Sequence, residues 1–303
     1  MTLRLATYNI LHGMPVLGGV PAPVRDADGR PLATPAVEDD AALRRAVAQL
    51  DADVIGLQEV DVHQPRSGFT HQVRSVADAL DAEHWYFAPT VVGTPAEHGW
   101  SEADERLDHA SAGPALRPRS GQQRSSTVEV QRMGPLYGVG LVSRLPVVEW
   151  RSTRFDPAPF KLPLMVPTEG GRPRFMRVPD EPRAAIAAVI DGPHGRCSVA
   201  TLHLSFVPGY NVRQLRAVRR WLADLPRPLV LMGDFNLPGR VPSRITDFVE
   251  LVHQPTYPAF GPRAQLDHVL ADGFSAHELS TAAAQVHLLP VSDHAAVTVD
   301  VDL

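Results

Sequence analysis

The chain predicts a layered α/β fold, and three observations carry that expectation. Apolar runs of strand length alternate with stretches of helical spacing. Several of those runs stop at a polar residue able to do chemistry. The clearest is Leu229-Val230-Leu231-Met232-Gly233-Asp234-Phe235-Asn236. Residues i and i+2 leaving a strand point the same way, so Asp234 and Asn236 stand side by side at its carboxyl edge. Open α/β sheets place their chemistry at that edge. Asp and Asn are also ordinary turn formers, so this motif alone does not decide the matter.

Taken in order, Leu3 to Asn9 alternates as a strand, and the Gly/Pro-rich stretch Gly13 to Pro35 reads as loop. Leu43, Ala46, Val47 and Leu50 have helical spacing, with Glu38, Asp39 and Asp40 at the favourable N-terminal end. Val54 to Leu57 is a buried strand closed by Gln58-Glu59. His71 to Leu80 predicts a helix and Trp85-Tyr86-Phe87 a short strand. Residues 89–135 and 152–182 show no period and read as long loop insertions over one face of a single domain spanning 1–303. Between them, Gly138 to Val142 and Pro146 to Trp150 read as a hairpin around Ser143-Arg144-Leu145. Ala184 to Ile190 and Cys197 to Leu204 are strands. Asn211 is placed to cap a helix with Gln214 as capping-box partner and Leu215, Val218 and Leu222 as its buried stripe. Leu266 to Leu270, Gln285 to Leu289 and Ala295 to Val301 finish the chain as strands.

Composition excludes some classes. With 44% hydrophobic residues and 21% charged, the 303-residue chain has material for a large core. A net charge of −5 gives no global basic field for nucleic acid. Lys161 is the only lysine among 29 basic residues; arginine suits phosphate, but a GC-rich coding bias explains the same excess. Cys197 stands alone, so no intrachain disulfide or cysteine-based metal site can form. The first residues lack a signal-peptide pattern and no apolar run is long enough to span a membrane, so the expected location is cytoplasmic.

Asn9, Glu59, His203, Asp234, Asn236, Asp267 and Asp293-His294 all fall at strand ends. Each has an ordinary alternative: a turn cap, a solvent-facing carboxylate, a hydrogen-bonded core histidine. Together they form an oxygen-rich set suited to a hard cation such as Mg²⁺ and to a phosphate. No His-x-x-x-His or cysteine cluster favours zinc, and no nucleophile elbow or Gly-rich phosphate loop is present.

The order of motifs adds a resemblance. Thr7-Tyr8-Asn9-Ile10-Leu11-His12-Gly13, Leu57-Gln58-Glu59-Val60, Gly138-Val139-Gly140-Leu141-Val142-Ser143-Arg144, Thr201-Leu202-His203-Leu204, Gly233-Asp234-Phe235-Asn236, Leu266-Asp267-His268-Val269 and Ser292-Asp293-His294 follow one another. This series resembles the endonuclease/exonuclease/phosphatase superfamily of DNase I-like proteins. The resemblance implies a four-layer α/β/β/α sandwich of two packed mixed sheets flanked by helices. It also implies Mg²⁺-dependent hydrolysis of a phosphoester, with Mn²⁺ able to substitute. Glu59 would be the principal metal ligand, Asn9 would hold metal or a phosphate oxygen from the facing strand, and Asp293 would assist at the metal or the leaving group. Asp234 would orient and deprotonate the attacking water, and Asn236 would hold that water or the phosphate. His294, paired to Asp267, would stabilise charge on phosphorus, and His203 would be a second donor. Some nucleases of the superfamily carry a phosphate-contacting tyrosine before the Gly-x-Gly strand; Tyr137 lies one step from that place.

Three functions remain open at this level. The first is a phosphodiesterase or phosphatase of a small molecule or lipid headgroup. The second is a DNA or RNA nuclease, disfavoured by net acidity and 6% aromatics and weakly favoured by Arg117-Pro118-Arg119 and Arg172-Pro173-Arg174. The third is a non-catalytic binding relative, against which the presence of Glu59, Asp234 and His294 argues.

Overall fold

The computed structural model describes residues 2–17, 20–21, 39–95, 99–111, 134–166, 174–192 and 195–302. Glu38, most of the Gly13–Pro35 stretch, Arg117-Pro118-Arg119 and Arg172-Pro173 lie outside these residues.

The strands are β1 (Thr2–Asn9), β2 (Val16–Leu17), β3 (Val20–Pro21), β4 (Val54–Val62), β5 (His84–Val92), β6 (Ser101–Glu102), β7 (His109–Ser111), β8 (Leu136–Ser143) and β9 (Val147–Phe155). They continue as β10 (Lys161–Val166), β11 (Arg174–Pro179), β12 (Arg183–Gly192), β13 (Gly195–His203), β14 (Leu229–Asp234), β15 (Val249–Glu250), β16 (Asp267–Asp272), β17 (Ala283–His287) and β18 (Ala296–Asp302). The helices are α1 (Ala41–Leu50), α2 (Gln72–Ala79), α3 (Tyr210–Trp221), α4 (Val241–Thr246) and α5 (Ala276–Thr281). One mixed sheet runs β17-β18-β1-β4-β8-β5 with β6 and β7 added at β5, and the other runs β15-β16-β14-β13-β12-β9. Each contains one parallel pair, β1/β4 and β13/β14, among antiparallel ones.

Three apolar cores make the four layers. Leu43, Val47 and Leu50 of α1 and Val73 and Val76 of α2 pack on Ile55, Leu57 and Phe87 of the first sheet. Leu5, Val54, Leu141, Ile186, Val199 and Met232 fill the space between the sheets. Leu215, Val218 and Leu222 of α3 cover Leu202 and Leu231 of the second sheet. β8, buried along its whole length, is therefore inward on both faces, as a central strand must be. The sheets approach closely at Gly56 of β4, where an added Cβ would lie 2.2 Å from Thr201 Oγ1 of β13. Gln58 Nε2 donates to that hydroxyl at 2.9 Å, a polar tie across the sandwich.

Several expectations need correction. Gly138 to Val142 and Pro146 to Trp150 are strands but not a hairpin. β8 pairs with β4 and β5, while β9 pairs with β12 in the opposite sheet. The Ser143 hydroxyl bonds Leu145, and Pro146 O accepts from Asp191 N of β12, so the chain crosses the sandwich at this turn. The segment 152–182 is not simply loop: β9 runs on to Phe155, and β10 and β11 form a separate antiparallel ribbon. Within 89–135, β5 continues to Val92 and β6 and β7 add to it. Asn211 does not cap its helix. Gly209 takes the cap position, Asn211 donates to Asn236 O, and Gln214 accepts from Ser205 N.

Candidate active site

Strand direction gathers the polar strand ends. β1 and β4 are parallel, so Asn9 and Glu59 lie at the same end of the first sheet. β13 and β14 are parallel, with His203 beside Asp234. β16 runs the opposite way and starts there, so Asp267 pairs in register with Asp234. β18 is antiparallel to β1, which brings the residues before it, Asp293 and His294, to the same rim.

Glu59 does not end its strand. Leu57 faces Gly140 and Val60 faces Gly138, so Gln58 and Glu59 together oppose Val139 in a β-bulge. Glu59 has φ 57°, the left-handed region a non-glycine residue enters at some cost. The bulge re-aims its side chain while the strand continues to Val62. At the end of β14, Gly233 has φ 144° and any Cβ would lie 2.1 Å from Leu202 O. Only glycine permits that approach of β14 to β13.

The side chains then meet. Asn9 Nδ2 donates to Glu59 Oε1 and to Asp234 Oδ2, both at 3.0 Å, and its Oδ1 accepts from Leu11 N at 3.1 Å. Asp234 Oδ2 lies 3.5 Å from His203 Nε2 and 3.8 Å from His294 Nε2. His294 Nδ1 is 2.9 Å from Asp267 Oδ2. Asn236 donates its backbone N–H to Asp234 Oδ1 at 2.9 Å and its amide to Leu204 O, with the same amide 3.5 Å from His203 Nε2. Asp293 makes no side-chain bond among the described residues, yet its charge acts on Glu59 and His294.

Electrostatics sorts these groups. Burial pushes the Glu59 carboxyl up, against the Asn9 hydrogen bond; the residue is half-exposed, but its head lies among protein atoms. Burial pushes Asp234 up to about 6, opposed by His294. For His294, burial works against the charged form, but Asp267 and Asp234 outweigh it and hold the imidazole well above its ordinary range. For His203, burial and then Arg183 push the other way, so this ring is neutral.

Among the described residues, Asp234, Asp267 and His294 form a grouping of potential metal ligands, with one ligand atom of each within 4.8 Å of the others. That triad leaves little room for a cation, because His294 turns Nδ1 to Asp267 and Nε2 to Asp234, so both ring nitrogens already face carboxylates. The Glu59 side fits better. Its carboxylate has one hydrogen bond, Asp293 acts on it, and the donors are oxygens, as a hard cation requires.

Three residues around this centre, Arg183, Arg66 and Tyr257, were not evident from sequence. Arg183 opens β12 and is 5% exposed. Its Nη1 lies 2.9 and 3.1 Å from the two His203 ring nitrogens, and its Nη2 lies 3.5 Å from Asp180. The signal was the antiparallel register that puts Ala184 opposite His203, which the chain does not announce. Arg66 forms a two-pronged pair with buried Asp61 at 2.8 Å and lies over the Tyr137 ring. Tyr137 is buried, and burial with Glu59 and Glu181 nearby holds its phenol protonated. Tyr257 lies against His294, 4.8 Å between ring centroids.

Comparison with known proteins agrees with this fold. The chain is similar in structure to an endonuclease/exonuclease/phosphatase from Beutenbergia cavernae DSM 12333, at 19% identity and TM-score 0.56, over 100% of this chain and 72% of that one. It is similar to sphingomyelinase C from Streptomyces griseocarneus, at 14% identity and TM-score 0.53, over 100% of both chains. It is also similar to the human nocturnin catalytic domain, at 16% identity and TM-score 0.52, over 99% of this chain and 94% of that one. At such identities the likeness concerns the fold. No curated protein matches the chain by sequence. The profile described as Endonuclease/Exonuclease/phosphatase family matches residues 6–294. With two packed mixed sheets and that match across nearly its whole length, the chain belongs to the Endonuclease/Exonuclease/phosphatase family.

Proposed function

We propose that this protein is a divalent-metal-dependent hydrolase of a phosphoester, acting on a small molecule or lipid headgroup by in-line attack of an activated water. One observation carries the reading. Asn9 ties Glu59 to Asp234, and Asp234 faces His294, whose other nitrogen is on Asp267. A candidate metal ligand, a base and a charged donor thus meet in one cluster. The sphingomyelinase likeness and the family's phosphatases support a phosphoester substrate. The single run of matched sequence supports one catalytic domain.

Glu59, with Asp293, would hold Mg²⁺, or Mn²⁺ in its place. Asn9, expected as a ligand, turns its amide N–H groups to the Glu59 and Asp234 carboxylates and its Oδ1 to Leu11 N, and would fix the Glu59 carboxylate instead. When bound, such an ion supplies charge that polarises the phosphoryl group and steadies the leaving oxygen. Asp234 takes the proton of the attacking water, since its carboxyl ionises near neutrality and sits where Asn236 can orient that water. His294, held protonated by Asp267, donates to the phosphoryl oxygens as negative charge grows on them. His203 contributes a neutral donor, and Arg183 beside it contributes fixed positive charge.

The test is hydrolysis of a panel of phospholipids, inositol phosphates, mononucleotides and nucleic acids, each with Mg²⁺ and with chelator. Metal-dependent cleavage of small or headgroup esters is the expected result. Preferential cleavage of DNA or RNA would move the substrate assignment, and no turnover of any phosphoester would contradict the reading.

A further inference from the structure

We propose that Tyr257 is a further residue of this site, its ring seating the His294 imidazole and its hydroxyl donating a hydrogen bond to the bound phosphoester. This deepens the phosphoesterase reading and rests on it. The Tyr257 ring meets the His294 ring at 4.8 Å between centroids with a tilt of 46°. Asp267 holds the same imidazole from its Nδ1 edge at 2.9 Å. The imidazole is therefore fixed from an edge and from a face, and Nε2 is left toward Asp234.

The tyrosine is itself held in place. Its N–H donates to Ala264 O, and its carbonyl accepts from Arg263 N and Ala264 N, all at 2.9 Å. The loop around it is stitched to both flanks of the site. The Thr256 hydroxyl accepts from Leu266 N and Asp267 N at 3.2 Å each. Thr256 O accepts from Ala295 N at 2.8 Å, and Ala259 N donates to Asp293 O at 2.6 Å. Thr256 and Ala259 are buried while Tyr257 between them is half-exposed. The Tyr257 side chain is thus partly open to solvent on a backbone held by hydrogen bonds.

Its hydroxyl has no protein partner among the described residues, although Asp293, Glu59 and Asp234 all act on it. Burial, and then those charges, keep it protonated, so it remains a donor. An O–H without a partner among the described residues, on a ring packed against His294, is available to the one further acceptor that the reaction brings: an oxygen of the phosphoester. A donor aimed at charge that grows during reaction accelerates turnover more than it tightens binding.

Tyr257→Phe keeps the ring and removes only the hydroxyl. With the best substrate of the panel and Mg²⁺, we expect kcat to fall by about 10- to 100-fold, with KM moving less than about threefold. Tyr257→Leu removes the ring as well and should lose roughly another tenfold, since His294 is then free to turn. Inorganic phosphate as a competitive inhibitor gives a second readout, its Ki rising several-fold in Tyr257→Phe. Melting curves and circular dichroism matching the parent show that both variants are folded. Tyr257→Phe with kcat and phosphate Ki within about twofold of the parent overturns the proposal. If Glu59→Ala is inactive in that same assay, the phosphoesterase reading survives that failure; a parent chain without metal-dependent turnover sinks both.

Discussion

Asp234 gives the residue-scale chemistry its pH dependence. Burial raises its carboxyl to about 6, and only the ionised form accepts a proton. Activity should therefore rise with pH through about 6. Asp234→Asn should lose that limb and about 10²- to 10⁴-fold in kcat, with substrate binding largely kept. A large rise in KM with kcat spared would recast Asp234 as a ligand. The same shift has a stability consequence. A carboxyl whose pKa is higher folded than unfolded contributes stability below its ordinary value of 3.8, and that contribution is lost as pH rises through about 6. The metal-free Asp234→Asn variant should accordingly melt higher than the parent at pH 7 and nearly with it at pH 4. Equal melting at pH 7 would show that Asp234 carries no such strain. Asn9, His203 and Asp234 were legible because strand ends announce themselves: an apolar run followed by Asp, Asn or His is visible in one line of sequence, whereas Glu59 was read as a strand end but sits in a bulge inside β4. Arg183 and Tyr257 were not, since one reaches the site through a cross-strand register and the other through a loop pinned by backbone hydrogen bonds.

At the scale of elements, local pattern found most strands and both α1 and α2, but not which strands pair. β8 and β9 are adjacent in sequence and look like hairpin arms, yet they belong to opposite sheets. Alternation reports which side chains are buried and is silent on which sheet buries them. The bulge at Glu59 was likewise hidden, because the extra residue shows only against a partner strand. The β10/β11 ribbon lies outside both main sheets, and nothing in its periodicity distinguished it from loop. Where the sheets touch, the absence of a side chain is what matters. Gly56→Ala would drive a methyl to within 2.2 Å of Thr201 Oγ1 and strain the tie from Gln58. We expect a loss of about 1–3 kcal/mol in chemical denaturation. A variant as stable as the parent would mean that the two sheets part more easily than their packing indicates.

For the whole molecule, two sheets are pressed together so that one end of each presents its polar termini to the other. Neither sheet alone holds the site: Asn9, Glu59 and His294 come from the first, and His203, Asp234 and Asp267 from the second. Among the described residues no helix is long and apolar enough to cross a membrane. The four-layer arrangement implied by the order of motifs is the one observed, while the substrate is not written in the sandwich. The chemistry proposed for this centre depends on a divalent ion beside Glu59. The most direct measurement is turnover of one phosphoester by the parent chain and by Glu59→Ala, first with chelator and then with Mg²⁺ restored. The parent should fall silent and recover, and Glu59→Ala should stay folded but lose about three orders of magnitude at every Mg²⁺ concentration. Turnover that persists in chelator, or a Glu59→Ala variant as active as the parent, would contradict the account.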